Sequence, residues 1–388
     1  MNGTVVIKNA LVLQDEEFVA ADILVQNGVI AGVSPAISPL CDSAVIDMSG
    51  NYAMPGFIDV HTHGAIGIDV ARAEKAELKV LSEFYAAQGV TGWLASLFAD
   101  TEDGLNKSID TLCSYAKDCC CGAPLLGIHI EGLFVSPDYK GIFPEHLLKE
   151  GDMPLFERLK DRAGGKLRYI TLAPEVPGVF DMILPISRSG VVVALGHTGA
   201  DYGLSMRSIE NGATSITHTF NAMKPLEHHE PAIIGAALES DVYCETICDG
   251  FHLHPATVRM LLKVKGYERI VAVTDSNMAA GMGDGRYKIN DVEIVVENGD
   301  AKTAADGRRA ASTLTMAGAL KNLKRFTGRP VNKLSRLLSL NPAAMLGLNK
   351  SKGSIKKGFD GDLVFLNQVD EVVLTIAGGR IIYNKTLD

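Results

Sequence analysis

56-GFIDVHTHG-64 decides how the rest of the chain is read. Its Phe, Ile and Val content makes it strand-like, and its two histidines, His61 and His63, close the run. Side chains along a strand alternate between faces, so residues at i and i+2 project to one side as a pair. Two imidazoles held this way form a chelating edge. Neutral imidazole suits a divalent ion of borderline softness such as zinc.

The same arrangement recurs four times. The runs 125-LLGIHIEG-132, 190-GVVVALGHTG-199, 213-ATSITHTFN-221 and 269-RIVAVTDS-276 carry Glu131, His197, His218 and Asp275 toward their ends. Imidazoles and carboxylates at strand ends read as a cation site with one position left for water, and an acid beside it completes a hydrolytic centre. Three further runs, 89-GVTGWLASL-97, 167-LRYITLA-173 and 241-DVYCETIC-248, raise the total to eight. Helix-like segments lie between them, such as 74-EKAELKVLSEFYAAQ-88, 201-DYGLSMRSIENG-212 and 256-ATVRMLLKVKG-266, with apolar residues at three- and four-residue spacing. Eight alternations predict an α/β fold, a (β/α)8 TIM-like barrel whose chemistry gathers at the C-terminal strand ends. His129 is expected to support the site, while His228 and His254 are expected to be solvated.

The flanks read differently. Asn27-Gly28 in 22-DILVQNGVIAGV-33 is a type I′ hairpin signal, and 372-VVLTIAGGRIIYN-384 repeats it with Gly378-Gly379. Isolated hairpins are marginal in water, so the two ends are expected to pair into one small β-sandwich. The expected division is residues 1–53 and 349–388 for the sandwich and 54–348 for the catalytic barrel. Glycine-rich 276-SNMAAGMGDGRYKIN-290 reads as a mobile connection, and 349-NKSKGSIKKG-358 as a solvated one.

With 388 residues, 47% of them hydrophobic, the chain can bury a large core. A formal charge of −9, with Lys and Arg scattered, argues against nucleic acid as a partner. The early stretch TVVIKNALVL lacks the basic and apolar regions of a secretion signal, and no apolar run is long enough to span a bilayer. A cytoplasmic protein with a small-molecule partner and no membrane association is therefore expected. Seven cysteines, with Cys119, Cys120 and Cys121 adjacent, give neither a disulfide framework nor, with Cys113, the spacing of a zinc knuckle. Reduced thiols fit better.

The motifs 55-PGFIDVHTHG-64, 129-HIEG-132, 196-GHTGA-200, 217-THTFNAM-223, 249-DGFH-252, 273-VTDS-276 and 341-NPAAMLGL-348 cover nearly the whole chain. They resemble those of the N-acetylglucosamine-6-phosphate deacetylases of the amidohydrolase superfamily. The resemblance implies a metal-dependent homodimer that removes acetate from an amino-sugar phosphate. It implies that Glu131, His197 and His218 hold the principal divalent ion, with Zn2+ the first choice. His61 and His63 would then form the second-metal pair found in some members, giving one or two ions per subunit. Asp275 matches the catalytic acid/base, and Asn221, Ala222, His229, His252, Arg309 and Ala311 fall at positions that contact substrate.

Three stretches depart from the family pattern. In 140-KGIFP-144, Phe143 stands where a His or Gln usually donates toward the substrate carbonyl, and phenylalanine cannot donate. Oxyanion stabilisation is then expected from the metals or from a neighbour such as His146. In 227-EHHEPAIIGAAL-238, His229 replaces an Arg that reaches the substrate phosphate, often across the dimer interface, and imidazole offers no bidentate fork. In 308-RRAAS-312, Arg309 is expected to restore the lost positive charge. These changes leave the galacto epimer or an unphosphorylated amino sugar as alternative substrates. A cyclic-amide hydrolase, which needs a carboxylated lysine, and a silent metal- or sugar-binding protein are the remaining alternatives.

Overall fold

The structure, a computed structural model, describes residues 3–39, 43–118, 121–289 and 292–385. All eight runs are strands, and they pair in parallel in chain order. They are β1 (Phe57–Thr62), β2 (Val90–Leu97), β3 (Leu125–Phe134), β4 (Leu167–Leu172), β5 (Val192–Leu195), β6 (Ala213–Ile216), β7 (Tyr243–Ile247) and β8 (Ile270–Val273). Each is followed by a helix: α1 (Lys75–Ala87), α2 (Glu102–Asp118), α3 (Met153–Arg162), α4 (Val179–Arg188), α5 (Tyr202–Glu210), α6 (Ala232–Glu239), α7 (Pro255–Lys265) and α8 (Met316–Thr327). The ring closes just past β8, where Asp275 N donates to His61 O and His63 N to Ser276 O, both at 2.8 Å.

Covered on both faces, parallel strands need apolar residues at nearly every position, which is why they read as continuous runs. Every residue of β2 is buried, for example. Helices α3, α5 and α8 begin where a side chain accepts an otherwise orphaned amide: Asp152 from Leu155, Asp201 from Leu204, Thr315 from Gly318. Helix α3 turns Leu155, Phe156 and Leu159 inward, and each side chain of that size contributes about 1.5–3 kcal/mol when fully buried.

Both chain ends supply the second sheet. Thr4–Gln14, Glu17–Gln26, Val29–Ser34, Ser43–Asp47 and Tyr52–Pro55 come from one end, and Leu363–Leu366, Val372–Ala377 and Arg380–Asn384 from the other. Tyr52–Pro55 joins them, parallel to Thr4–Gln14 and antiparallel to Leu363–Leu366; the sheet thus takes residues on both sides of position 53. Asn27 and Gly28 have φ of 51° and 82°, and Gly378 and Gly379 of 53° and 72°, as a type I′ turn requires. The sheet curls until Ile30 N reaches Phe359 O at 2.8 Å and Gly361 N reaches Gly28 O at 2.7 Å. It encloses a core of its own, including Ile7, Val12, Ile23, Phe365 and Leu374.

Two connections differ from expectation. The glycine-rich stretch leads into Gly285–Ile289, a strand that pairs with Val292–Glu297, which pairs in turn with Asp300–Thr303. This antiparallel sheet is inserted between β8 and α8, and Asn290 lies outside the described residues. Gly281, Gly283 and Gly285 masked the alternation that follows them. The lysine-rich stretch 349–358 is anchored: Ile355 is buried in the sandwich core and Lys352 pairs with Asp360 and Asp362.

Among the described residues no helix is long and apolar enough to cross a membrane. Cys113, Cys244 and Cys248 are thiols, and burial pushes the Cys244 thiol up to about 11. Cys41, Cys119 and Cys120 lie outside the described residues.

Candidate functional site

The barrel gathers the six proposed metal-site and acid residues at one end. His61 is the next-to-last residue of β1 with His63 just beyond it, and Glu131 lies in β3; His197, His218 and Asp275 follow β5, β6 and β8 by two residues each. All six are at most 6% exposed. They form two trios, His61/His63/Asp275 and Glu131/His197/His218. Glu131 stands between them: Oε1 lies 3.2 Å from His197 Nε2 and 3.1 Å from His218 Nε2, while Oε2 lies 3.4 Å from His61 Nε2 and 3.1 Å from His63 Nε2. Asp275 Oδ1 is 3.5 Å and 3.3 Å from the Nε2 atoms of His61 and His63.

The backbone bends to achieve this. His197, His218 and Asp275 have φ of 49°, 27° and 47°. For residues other than glycine such left-handed conformations cost about 1–3 kcal/mol each, a strain that proteins concentrate at functional sites. Gly64, at φ +152°, is forced: a Cβ there would lie 2.1 Å from Ile68 O.

Outer hydrogen bonds orient three of the rings. Nδ1 of His61 faces Glu245 Oε2 at 3.0 Å, Nδ1 of His63 faces Ser96 O at 3.1 Å, and Nδ1 of His197 faces Tyr139 O at 2.7 Å. Each partner can only accept, so in the neutral ring the proton sits on Nδ1 and the Nε2 lone pair points inward. Lone pairs of nitrogen and carboxylate oxygen thus crowd together at 3.1–3.5 Å around Glu131 and Asp275, an arrangement that calls for a cation. His129 is different. Its nitrogens meet Ser96 Oγ and Thr171 Oγ1, both at 2.9 Å, and its ring packs edge-on against His61 in the supporting place expected of it.

The electrostatics favour positive charge at this centre. Burial alone would push the His61 imidazole down, yet Glu131, Glu245 and Asp275 hold it well above its ordinary value. Burial would raise the Glu131 carboxyl, but the surrounding histidines hold it well below. Asp275 is likewise lowered against the effect of burial, by His61 and His63. The centre is built for anionic carboxylates facing positive charge.

A cavity of about 320 Å³ opens onto this centre. Its lining includes Glu131, His197, His218 and Asp275, together with Asn221, Ala222, His252, Arg309 and Ala311. His229 is exposed and lies outside the lining, its ring tilted against that of the exposed His228. His146 is also exposed and outside it, so within this chain it does not take over the donor role lost at Phe143. Phe143 is buried and lines the cavity, with its ring 5.5 Å from Phe98 and 4.7 Å from His197. Phe98 in turn stacks on His63 at 3.6 Å. An apolar aromatic wall thus links the two trios. His254 caps α7 by accepting from Ala256 N at 3.1 Å.

Sequence reading missed Arg308, Tyr139 and Glu245. Arg308 lines the cavity beside Arg309 and donates to Gly141 O at 3.3 Å. Arg309 forms a two-point pair with Asp300, at 3.0 and 3.1 Å, and Lys302 pairs with the same carboxylate. Two cations on one carboxylate leave a positive charge in excess. The unexpected sheet explains their placement, because Ala310 N donates to Ala301 O and Thr303 N to Arg308 O, pinning 308–310 to its edge. A charged residue inside an otherwise apolar strand was the one signal available for Glu245.

The amidohydrolase family matches residues 52–382. The N-acetylglucosamine-6-phosphate deacetylase of Bacillus subtilis is 34% identical over 85% of this chain and 84% of its own length. The chain belongs to the N-acetylglucosamine-6-phosphate deacetylase family of amidohydrolases. The N-acetylgalactosamine-6-phosphate deacetylase of Escherichia coli is 33% identical over 87% of this chain and 89% of its own. The crystal structure of N-acetylglucosamine-6-phosphate deacetylase from Pasteurella multocida superposes with a TM-score of 0.92 at 26% identity, covering 98% of this chain and all of that one.

Proposed function

We propose that this chain hydrolyses the N-acetyl group of N-acetylglucosamine 6-phosphate, yielding glucosamine 6-phosphate and acetate. The observation that carries the reading is the Asp275 carboxylate, held 3.3 Å from His63 and facing a cavity that Glu131, His197 and His218 also line. Glu131, His197 and His218 would hold one divalent ion, and His61, His63 and Asp275 another; Zn2+ suits this mixed nitrogen and oxygen set. When bound, such ions acidify water and polarise an amide carbonyl.

The protein's own groups do the rest. Asp275, kept anionic by the neighbouring histidines, takes the proton of the attacking water and returns it to the departing amine. Phe143 offers no donor to the developing oxyanion, which places that burden on the cation site and makes His61 and His63 central. The aromatic wall excludes water and strengthens the charge interactions within. Arg308, Arg309 and His252 present the cationic and polar face suited to the phosphate. We take the working form to be a cytoplasmic homodimer, in which the exposed His229 faces a second copy.

No lysine lines the cavity among the described residues, which disfavours a cyclic-amide hydrolase. The relative active on N-acetylgalactosamine 6-phosphate makes that epimer the second reading. An acetate-release assay on metal-replete protein tests both, using the two phosphorylated sugars and their unphosphorylated forms. The gluco phosphate should be turned over fastest. Acetate released equally from unphosphorylated sugar, or from none of the four, overturns the assignment.

A further inference from the structure

We propose that Glu245 is a positioning residue for the second cation: it fixes His61 as a ligand and so makes the His61/His63/Asp275 trio competent. This rests on the metal-dependent reading above. Glu245 lies at the middle of β7 and has no exposed surface. Tyr243 and Ile247, two positions away on the same strand face, pack with Val60, Leu94, Tyr169 and Val271 at the barrel centre. Strand alternation therefore turns the carboxylate inward.

A carboxylate so placed is costly unless paired, and its partners define its job. Oε2 lies 3.0 Å from His61 Nδ1 and accepts from the backbone N–H of His218 at 2.9 Å. An ionised carboxylate offers only acceptors, so it holds the His61 proton on Nδ1 and leaves Nε2 as a lone-pair donor. That Nε2 is the atom facing His63, Glu131 and Asp275. The same oxygen ties the ring to the strained backbone of His218, joining the two trios from below. Its other oxygen, Oε1, has no hydrogen-bond partner among the described residues, and the contacts that orient the ligands run through Oε2.

The dependence is one-sided. His197 is oriented by Tyr139 O, and His218 meets Glu245 only through its backbone. Loss of Glu245 therefore falls chiefly on the trio that contains His61, and reaches the Glu131/His197/His218 set only through the backbone amide of His218.

Calorimetric titration of the metal-stripped full chain with Zn2+ tests this, together with the absorption spectrum after loading with Co2+. Wild type should take up two equivalents. Glu245→Gln, which keeps the shape but lacks the charge, should weaken one equivalent about 10–100-fold, the range typical of lost outer partners of a metal-bound histidine, and leave the other unchanged. Glu245→Ala should bind one equivalent and lose the matching part of the Co2+ spectrum. Should the alanine variant fail to fold, the glutamine variant carries the test by itself. Two equivalents bound by Glu245→Gln with wild-type affinities overturn the proposal. Wild type that binds no divalent ion overturns the metal-dependent reading itself, a distinct result seen on the unmutated chain.

Discussion

Arg309 illustrates how one residue was legible in part. Its charge stood out in 308-RRAAS-312, but not the carboxylate that holds it or the arginine beside it. Because Asp300 is shared by Arg309 and Lys302, its single charge does not fully neutralise the Arg309 guanidinium that lines the cavity. Removing a hydrogen bond to a charged group costs about 1.5–3 kcal/mol, so Arg309→Ala should raise KM for a phosphorylated substrate roughly tenfold or more and leave kcat nearly intact. An unchanged KM places phosphate recognition elsewhere. Glu245 was illegible because its role depends on what faces it across the barrel. His61 and His63 were legible because strand alternation alone pairs them.

At the scale of elements, the parallel strands were readable because double-sided burial forces a distinctive composition. The three-stranded insert was not, since its outward positions are polar and its start lies among glycines. In the sandwich, the register of Thr4–Gln14 against Glu17–Gln26 slips between Ile7 and Ala10, at Asn9 with φ 60°. Asp22 stabilises that bulge. Buried at 2% exposure, it accepts from Asn9 N at 2.9 Å and Ile37 N at 2.8 Å and pairs with Lys8. Burial would raise its carboxyl, but Lys8 and the two amides hold it below the ordinary value. A depressed folded-state pKa contributes stability that is complete above the unfolded-state value, about 3.9, and is lost as pH falls through the folded value. Asp22→Asn should therefore cost about 2 kcal/mol in urea unfolding at pH 7, with the gap to wild type narrowing as pH drops below 4. A gap that does not change with pH means the charge on Asp22 is not what matters.

Across the whole molecule, distant strands close into a ring, and closure creates the site. His61 and Asp275 are far apart in sequence, yet Asp275 N donates to His61 O at the seam. Asp59 reinforces it, accepting from Thr274 Oγ1 at 2.6 Å with a carboxyl that burial pushes up to about 6. The residue types of the two trios, their order and their strand-end positions were open to sequence reading, as was the pairing of both chain ends. The position of Glu131 between two trios was not, because it depends on the stagger of β3 against β1, β5 and β6. The role of Phe143 as a wall was hidden for the same reason.

The central claim is that Asp275 moves a proton at a divalent-cation site. The most direct measurement is acetate release from N-acetylglucosamine 6-phosphate by wild type and Asp275→Asn, each stripped of metal and reloaded, with bound metal quantified in the same samples. Stripping should abolish wild-type turnover and reloading restore it. Asp275→Asn should retain the ion bound by Glu131, His197 and His218 while kcat falls about 10²–10⁴-fold, the usual contribution of a general acid/base. Wild-type rates that survive stripping, or an Asp275→Asn variant as fast as wild type, contradict the account.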